Sequence, residues 1–280
     1  MKAIEVKNLI VEFDVTDAEG IVKSKRKVLD GINLTVDEGE FVCVLGRNGS
    51  GKSTFAKCLN ALLLPSSGDV YVYGINTKDE DRVIEIRQKV GMTFQNPDNQ
   101  IVASIVEEDV AFGLENIGVK TSDLRVRIDD AMKSIGIYDL KDNMVSKLSG
   151  GQKQKVSIAG ILAMKPKIIV LDEPTSMIDK AGRIDLLNTV KRLNEEEKIT
   201  IILISHYVEE MSYADRVVLL DNGKITLDDT PKNILLRKDE LNEAGIDMPY
   251  ISGLATELKA RGKNLKGNEE TVFELCQYLK

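Results

Sequence analysis

The sequence predicts an α/β fold built on a parallel sheet that is covered by helices. Continuous apolar runs at 41–45, 167–171 and 200–204 are typical of strands buried on both faces of such a sheet. A glycine-rich stretch at 46–54 lies between the first run and a helix-like run, as phosphate-binding loops do. Between 104 and 164 the strand signals disappear and helical periodicity dominates. We therefore expect an inserted helical subdomain in that range.

The N-terminal part predicts a second, antiparallel β subdomain. Polar and apolar residues alternate at 3–13 and 28–36, and the charged stretch 14–27 between them predicts a hairpin or loop. Phe13 stands just before that stretch. From the residues alone, a core aromatic is favoured over a platform for stacking adenine.

The stretch 46–54 carries the chemistry of phosphate binding, because it reads G-x-x-x-x-G-K-[ST]. Its glycines let backbone N–H groups point at phosphate oxygens. Lys52 brings a positive charge to the outer phosphates, and Ser53 offers its hydroxyl to Mg²⁺ at the N-terminus of the following helix. The sequence therefore predicts a site for a nucleoside triphosphate with Mg²⁺. Its residues are Gly46, Arg47, Asn48, Gly49, Ser50, Gly51, Lys52, Ser53 and Thr54.

Two polar segments in the middle of the chain are further candidates. Gln95 follows a short strand and begins a proline-containing loop, which predicts a joint between two subdomains. Its carbonyl oxygen could face a metal ion or a water, and a plain loop amide is the alternative. Ser149 is a natural N-cap for a helix at 153–164, and Gly150 and Gly151 leave N–H groups free for a second anion. An ordinary capped helix start is the alternative.

Three candidates follow the later apolar runs. Asp172 and Glu173 end the run 167–171, where open α/β sheets bind ligands. Asp172 is placed to hold Mg²⁺ and Glu173 to orient or deprotonate a water, although the pair could be a solvated strand end. His206 is the only histidine and follows the run 200–204. A lone histidine is usually structural, but this one could reach a terminal phosphate.

The composition excludes several classes of protein. The net charge of −7 and the pI of about 5.1 disfavour a broad basic surface for nucleic acid. The three cysteines lie far apart in apolar surroundings, which indicates buried small hydrophobes in a reducing compartment. We expect no signal peptide and no membrane span, so any role at a membrane requires another chain. Residues 235–280 predict a small helical C-terminal domain or packing cap, with helices near 253–261 and 269–279.

The order of these motifs resembles that of ATP-binding cassette (ABC) ATPases over roughly residues 1–232. The chain is identified as a member of this family, which implies ATP hydrolysis with Mg²⁺ and a nucleotide-binding domain at 1–234. The motifs in order are the P-loop, the Gln95 loop, Leu148-Ser149-Gly150-Gly151-Gln152, Asp172-Glu173, the Asp179 loop and His206.

The resemblance implies a role for each motif residue. Phe13 resembles the aromatic that stacks on adenine, which reverses the expectation of a core residue. Gln95 resembles the glutamine that couples the Mg²⁺ site to a membrane partner. The implied catalytic set is Lys52, Gln95, Glu173 and His206, and the implied metal ligands are Ser53, Gln95 and Asp172. The residues implied to serve nucleotide held between two subunits are Ser149, Gly150, Gly151, Gln152 and Asp179.

A narrower resemblance connects residues 94–102 and 107–116 to the A subunit of energy-coupling factor (ECF) transporters. Residues 149–154 and 175–179 are similar to the first of its two A types, and Met248-Pro249-Tyr250 to its C-terminal dimerisation segment. The chain departs from the usual pattern at Lys155, where arginine is commoner, and at Lys180, where proline is usual.

The ECF resemblance implies a peripheral subunit at the cytoplasmic face of the cell membrane. This subunit would supply the energy for uptake of a vitamin or metal ion. Its implied partners are a second homologous ATPase, a transmembrane coupling subunit and a substrate-specific membrane protein, without nucleic acid. A heterodimer of ATPases is expected, and a homodimer is the alternative. A soluble ABC ATPase acting on nucleic acid or the ribosome is the competing function, but a single cassette without heptads and with an acidic balance disfavours it.

Overall fold

A computed structural model of the protein describes residues 1–17, 21–247, 250–262 and 265. In this part of the chain the strands form two sheets, one antiparallel and one mostly parallel. In chain order the strands are β1 (Lys2–Thr16), β2 (Val22–Asp37), β3 (Phe41–Leu45), β4 (Ser67–Val72), β5 (Ile75–Asn76), β6 (Val90–Thr93), β7 (Ile168–Asp172), β8 (Thr200–Ser205), β9 (Arg216–Asp221) and β10 (Lys224–Asp229).

The larger sheet has the strand order β10-β9-β3-β8-β7-β6, and all of its neighbours pair in parallel except β10 with β9. Every residue of β3, β7 and β8 is buried, which explains why these strands are continuous apolar runs rather than alternating ones. Leu45 lies opposite Ser205, and Asp172 opposite Ile204. The carboxyl ends of β3, β7 and β8 therefore meet at one edge of the sheet.

The antiparallel sheet has the order β2-β1-β4-β5, and its first hairpin is longer than predicted. Of the two alternatives predicted for 14–27, the structure shows the hairpin, because β1 continues to Thr16 and β2 begins at Val22. Asp14 lies opposite Lys25, and such cross-strand pairs of opposite charge stabilise a ladder. Both faces of this part of the hairpin are exposed, so no buried face produced an alternation of hydrophobic and polar residues in the sequence.

The helices are α1 (Lys52–Leu59), α2 (Val83–Lys89), α3 (Val106–Asn116), α4 (Thr121–Ser134), α5 (Gly150–Ala163), α6 (Lys180–Glu197), α7 (Pro231–Leu235), α8 (Lys238–Glu243) and α9 (Tyr250–Ala260). Helices α3 to α5 fall within 104–164, where the sequence predicts an inserted helical subdomain. The predicted boundaries of that subdomain stay a prediction.

The parallel sheet separates two hydrophobic cores, and β3 contributes to both. Phe41, Cys43 and Leu45 face the core that contains the inserted helices, whereas Val42 and Val44 face the core shared with the antiparallel sheet. This alternation follows from the two-residue period of a strand. The edge at which β3, β7 and β8 end is thus supported by packed side chains on both faces of the sheet.

The C-terminal residues up to Ile246 join the first core. Ile234, Leu235, Leu241 and Ala244 are buried in the same cluster as α5 and α6. Helix α9 lies where the sequence predicts a helix near 253–261. The predicted helix at 269–279 and most of the dimerisation segment, Met248 and Pro249, lie outside the described residues.

Cys43 and Cys58 are buried and free, in agreement with their prediction as small hydrophobes. Burial raises the pKa of the Cys58 thiol to about 12. Cys276 lies outside the described residues. Among the described helices, none is both long and apolar enough to cross a membrane.

The contact between β6 and α5 gives a testable prediction. A Cβ at Gly91 would clash with the buried side chain of Ile161. We expect Gly91→Ala to lower the free energy of unfolding by about 1–3 kcal/mol, measured by urea denaturation. Gly160→Ala is the control, because a Cβ there would meet only the backbone of Asp109 and Val110 in α3, at an ordinary contact distance of 3.9 Å, and we expect a neutral or stabilising effect. Equal unfolding free energies for the two variants would contradict the packing described.

Candidate nucleotide-binding site

The glycine-rich loop lies between β3 and α1 and is shaped by close backbone approach. A Cβ at Gly46 would clash with the carbonyl oxygen of Leu220. Gly51 has φ +106, and a Cβ there would lie 2.8 Å from Leu29 Cδ2 and 3.0 Å from the Val28 carbonyl oxygen. Glycine is therefore needed at both ends of the loop.

Lys52 begins α1, and its ammonium group turns back into the loop. It is only 4% exposed and donates hydrogen bonds to the carbonyl oxygens of Gly46 (2.7 Å) and Arg47 (3.1 Å). Its Nζ lies 3.7 Å from Glu173 Oε1. Burial lowers the pKa of Lys52, and the charges of Glu173 and Asp172 oppose this effect.

Ser53 and Asp172 form a pair of oxygen donors beside the loop. Ser53 Oγ donates a hydrogen bond to Asp172 Oδ1 (3.0 Å), and burial raises the pKa of the aspartate. A hydroxyl, a carboxylate and substrate phosphates are the ligands with which proteins usually bind Mg²⁺. The described residues contain no group of three or more His, Cys, Asp and Glu side chains that could hold a metal. The pair fits an ion that is bound together with phosphates.

Glu173 is the point at which the predicted catalytic residues converge. Its Oε2 accepts a hydrogen bond from Gln95 Nε2 (2.8 Å) and lies 3.5 Å from His206 Nδ1, which makes no hydrogen bond with any described residue. Glu173 is buried and has φ +48, an uncommon backbone conformation for a residue with a side chain. Gln95 therefore presents its amide nitrogen to a carboxylate here, and its role as a metal ligand stays a prediction.

The P-loop, Gln95 and Glu173 border a cleft of about 440 Å³. Its lining residues are Arg26, Val28, Asn48, Gly49, Gly51, Lys52, Ser53, Thr54, Gln95 and Glu173. Phe13 lies directly across the hairpin from Arg26 and is 44% exposed. The reading of Phe13 as a core aromatic is therefore wrong.

The second group of predicted nucleotide-binding residues forms a separate cleft of about 450 Å³. Ser149 caps α5: its Oγ accepts from Gln152 N (3.3 Å), and Gln152 Oε1 accepts from Ser149 N (2.9 Å). Asp179 caps α6 by accepting from Gly182 N (2.8 Å). Gly150 and Gly151 line the same cleft. None of the residues lining this cleft lines the first one.

The profile of the ABC transporter family matches residues 29–176, which is more than half of the chain. The chain belongs to the ABC transporter family. This finding confirms the predicted family and the α/β fold class, and it identifies the protein as an ATPase.

Several bacterial proteins are close relatives of the ABC ATPase. It is 49% identical over 278 residues to the "Energy-coupling factor transporter ATP-binding protein EcfA1" of Clostridium novyi, and 47% identical to the protein of that name in Clostridioides difficile. Both alignments cover 98% of each chain. The predicted ECF resemblance is thereby confirmed.

Solved structures of ABC cassettes share the fold. The structure of cbiO1 from Clostridium perfringens, described as part of an ABC transporter complex, is 33% identical with a TM-score of 0.76 and covers 90% of this chain and 98% of its own. A dimeric ATP-binding cassette in a post-hydrolysis state, bound to ADP and Pi, is 29% identical with a TM-score of 0.73 and covers 81% and 98%.

One buried acidic residue of this ABC ATPase, Glu210, lies close to the site and was not predicted from the sequence. Glu210 is 1% exposed; its Oε1 accepts a hydrogen bond from Thr175 Oγ1 (2.6 Å) and lies 3.7 Å from Arg183 Nε. The Arg183 guanidinium stacks 3.7 Å from the ring centroid of Tyr207. Glu210 thus connects the segments that follow Glu173, Asp179 and His206. The only sequence signal is its distance of four residues from His206, because Glu209-Glu210 otherwise looks like a solvated charged pair.

The environment of Glu210 predicts a pH-dependent contribution to stability. Burial raises its pKa above the ordinary value of 4.5. The folded state therefore holds this proton more tightly than the unfolded state, and the associated stability is lost as the pH rises from 4.5 through the raised pKa. Each unit of pKa shift corresponds to about 1.4 kcal/mol.

We expect the unfolding free energy of the wild type, relative to that of Glu210→Gln, to fall as the pH rises from 4.5 through the raised pKa. Glutamine resembles the protonated acid but does not titrate. Denaturant unfolding of both proteins across this range measures the difference, in which the other titrating groups cancel. Glu209→Gln, at the exposed neighbouring position, should give a constant difference. A constant difference for Glu210→Gln as well would contradict the buried, titrating carboxyl.

Proposed function

We propose that this chain is the ATP-binding and ATP-hydrolysing subunit of an ECF-type importer of a vitamin or a metal ion. The observation that carries the proposal is the near-full-length similarity to proteins named as ECF transporter ATP-binding proteins. The arrangement of charged groups at the sheet edge supports a hydrolytic rather than a purely structural subunit.

In this proposal the first cleft holds the nucleotide that this chain itself binds. Residues 46–54 hold the phosphates through backbone N–H groups and Lys52, and the exposed ring of Phe13 stacks on the adenine. Ser53 and Asp172 hold Mg²⁺, with the Gln95 loop beside them. The bound ion neutralises part of the phosphate charge.

Glu173 is the proposed general base, and His206 is its neighbour at the terminal phosphate. Burial and a fixed backbone orient the Glu173 carboxylate, so it can accept a proton from a water aligned for attack. Lys52 hydrogen-bonds to two carbonyl oxygens of its own loop in this structure. Phosphate oxygens are stronger acceptors for an ammonium group, so nucleotide binding would draw Lys52 away from these carbonyls.

The second cleft is proposed to serve nucleotide held by another ATPase subunit. Ser149, Gly150, Gly151, Gln152 and Asp179 share no lining residue with the first cleft, so one chain offers two half-sites that face different nucleotides. Two subunits arranged head to tail would complete both sites. The similarity to a cassette solved as a dimer with ADP and Pi supports this arrangement. A heterodimer with a second homologous ATPase is proposed, and a homodimer is the alternative.

The motion of the two ATPases is proposed to drive a transmembrane coupling subunit and a separate substrate-binding membrane protein. Gln95 supports this proposal, because its side chain contacts Glu173 while its backbone leads into the loop between β6 and the inserted helices. The chain would act at the cytoplasmic face of the membrane as a peripheral subunit. Co-purification of membrane proteins with the tagged chain tests this part. Recovery of the chain with RNA or ribosomes instead would favour the competing soluble ATPase.

We expect Glu173→Gln to lower ATP turnover at this chain's site by at least about a hundredfold, because the proposed base is lost. Nucleotide affinity should stay similar, because glutamine can still accept the hydrogen bond from Gln95. The measurement is phosphate release by the complex co-expressed with its partners, with the partner ATPase's own site inactivated. Exposed Glu209→Gln is the control and should retain full turnover. Undiminished turnover in Glu173→Gln would remove this residue from the proposed role.

A substitution at Ser149 tests the shared site. Aspartate is an N-cap as good as serine, so Ser149→Asp preserves α5 while placing a negative charge where a partner's phosphate should bind. In a Glu173→Gln background, we expect ATP-dependent subunit association, followed by light scattering, to weaken about tenfold or more. Neutral Ser149→Asn is the matched control and should associate normally. Normal association of both variants would argue against a phosphate at this helix start.

A further inference from the structure

We propose that Arg26 is a nucleotide-binding residue whose guanidinium group contacts the phosphates of the ATP held by this chain's own P-loop. The inference rests on the proposed function, since it assigns one more residue to the same cleft. The sequence motifs do not include Arg26, because it lies in β2, some twenty residues before the P-loop.

The position of Arg26 is fixed by the hairpin. Arg26 and Val28 line the phosphate cleft together with Lys52 and Ser53. Phe13 is the direct cross-strand partner of Arg26, and directly opposed residues project from the same face of an antiparallel pair. A base stacked on Phe13 would therefore leave its sugar and phosphates beside Arg26.

The charges of the cleft require another cation. Lys52 is the only positively charged residue that the P-loop itself contributes to the lining, and it lies beside the carboxylates of Glu173 and Asp172. A triphosphate adds several negative charges, which one Mg²⁺ neutralises only in part. Arg26 supplies the second positive charge among the lining residues.

Arg26 differs from two of its basic neighbours, Lys23 and Lys27, in that its side chain has no partner among the described residues. Lys23 lies 3.0 Å from Asp17 and Lys27 lies 3.0 Å from Asp30, both as ion pairs. The Arg26 side chain forms no ion pair or hydrogen bond with any described residue, although it borders a cleft that contains a buried glutamate. An exposed arginine is often simply solvated, but its place in the lining next to Phe13 favours a ligand.

The chemistry of the side chain suits phosphate. A guanidinium group presents a planar fork of N–H donors that can bind two phosphate oxygens at once, whereas an ammonium group acts as a point charge. The carrier strand β2 pairs with β1 along its length, so Arg26 is held on a regular element and not on a flexible loop.

The test compares Arg26→Gln, Arg26→Lys and Lys25→Gln in the full chain, with MgATP binding measured by titration calorimetry. Lys25 is the matched control, because successive strand residues point to opposite faces and Lys25 lies across from Asp14. We expect Arg26→Gln to raise the Kd for MgATP about tenfold, as for a lost charge-assisted hydrogen bond. Arg26→Lys should recover part of the affinity, and Lys25→Gln should change it by less than about twofold.

Two further measurements distinguish a failure of the Arg26 inference from a failure of the proposed function. Adenosine, which lacks phosphates, should displace a fluorescent ATP analogue equally well from wild type and Arg26→Gln; a matching loss of adenosine affinity would overturn the phosphate contact. Lys52→Ala reports on the proposed function, because it should abolish MgATP binding in any nucleotide-binding P-loop. Loss of binding in Lys52→Ala with unchanged binding in Arg26→Gln would overturn only the inference. Unchanged binding in Lys52→Ala would overturn the proposed function itself.

Discussion

The burial of the Lys52 ammonium group is the constraint on which the rest of the site depends. An uncompensated charge at such depth costs several kcal/mol, so it must be hydrogen-bonded and paired. Two carbonyl oxygens of its own loop and the carboxylate of Glu173 supply this compensation. The loop can bring those carbonyls to Nζ only because glycine at 46 and 51 lets the backbone pass close to β9 and β2. The curvature of the loop and the carboxylate at the end of β7 are therefore both needed to compensate the charge of Lys52.

The sequence predicted the parts of this site that follow from local pattern and one topological rule. Apolar runs identified β3, β7 and β8, and the rule that parallel strands present their carboxyl ends at one edge predicted that Asp172, Glu173 and His206 lie at the same edge of the sheet. A second anion site at Ser149, separate from the P-loop, was also predicted, from a capping serine followed by two glycines at a helix start. Each of these inferences needs only local residue patterns and the order of the elements.

What sequence reasoning missed depends on contacts between distant residues. The extension of β1 and β2 past Phe13 is stabilised by pairing across the hairpin and not by a buried face. Glu210 is buried because Thr175 and Arg183, 35 and 27 positions away in the chain, meet its carboxylate there. The Gln95 amide nitrogen donates to Glu173 from 78 positions away, and this contact was not predicted. No periodicity of sequence encodes such partners.

The backbone of Glu173 indicates how distant segments can act on it. A left-handed conformation in a residue with a side chain costs of order 1 kcal/mol and persists only when its surroundings over-determine it. Here the surroundings are Gln95 on one side, Lys52 on another and the Glu173 N–H, which donates to the Ile204 carbonyl oxygen (3.0 Å). These groups belong to three separate segments, so a displacement of the Gln95 loop removes one restraint without disturbing the P-loop. The proposed base is thus most sensitive to movement in the segment proposed to face the membrane partner.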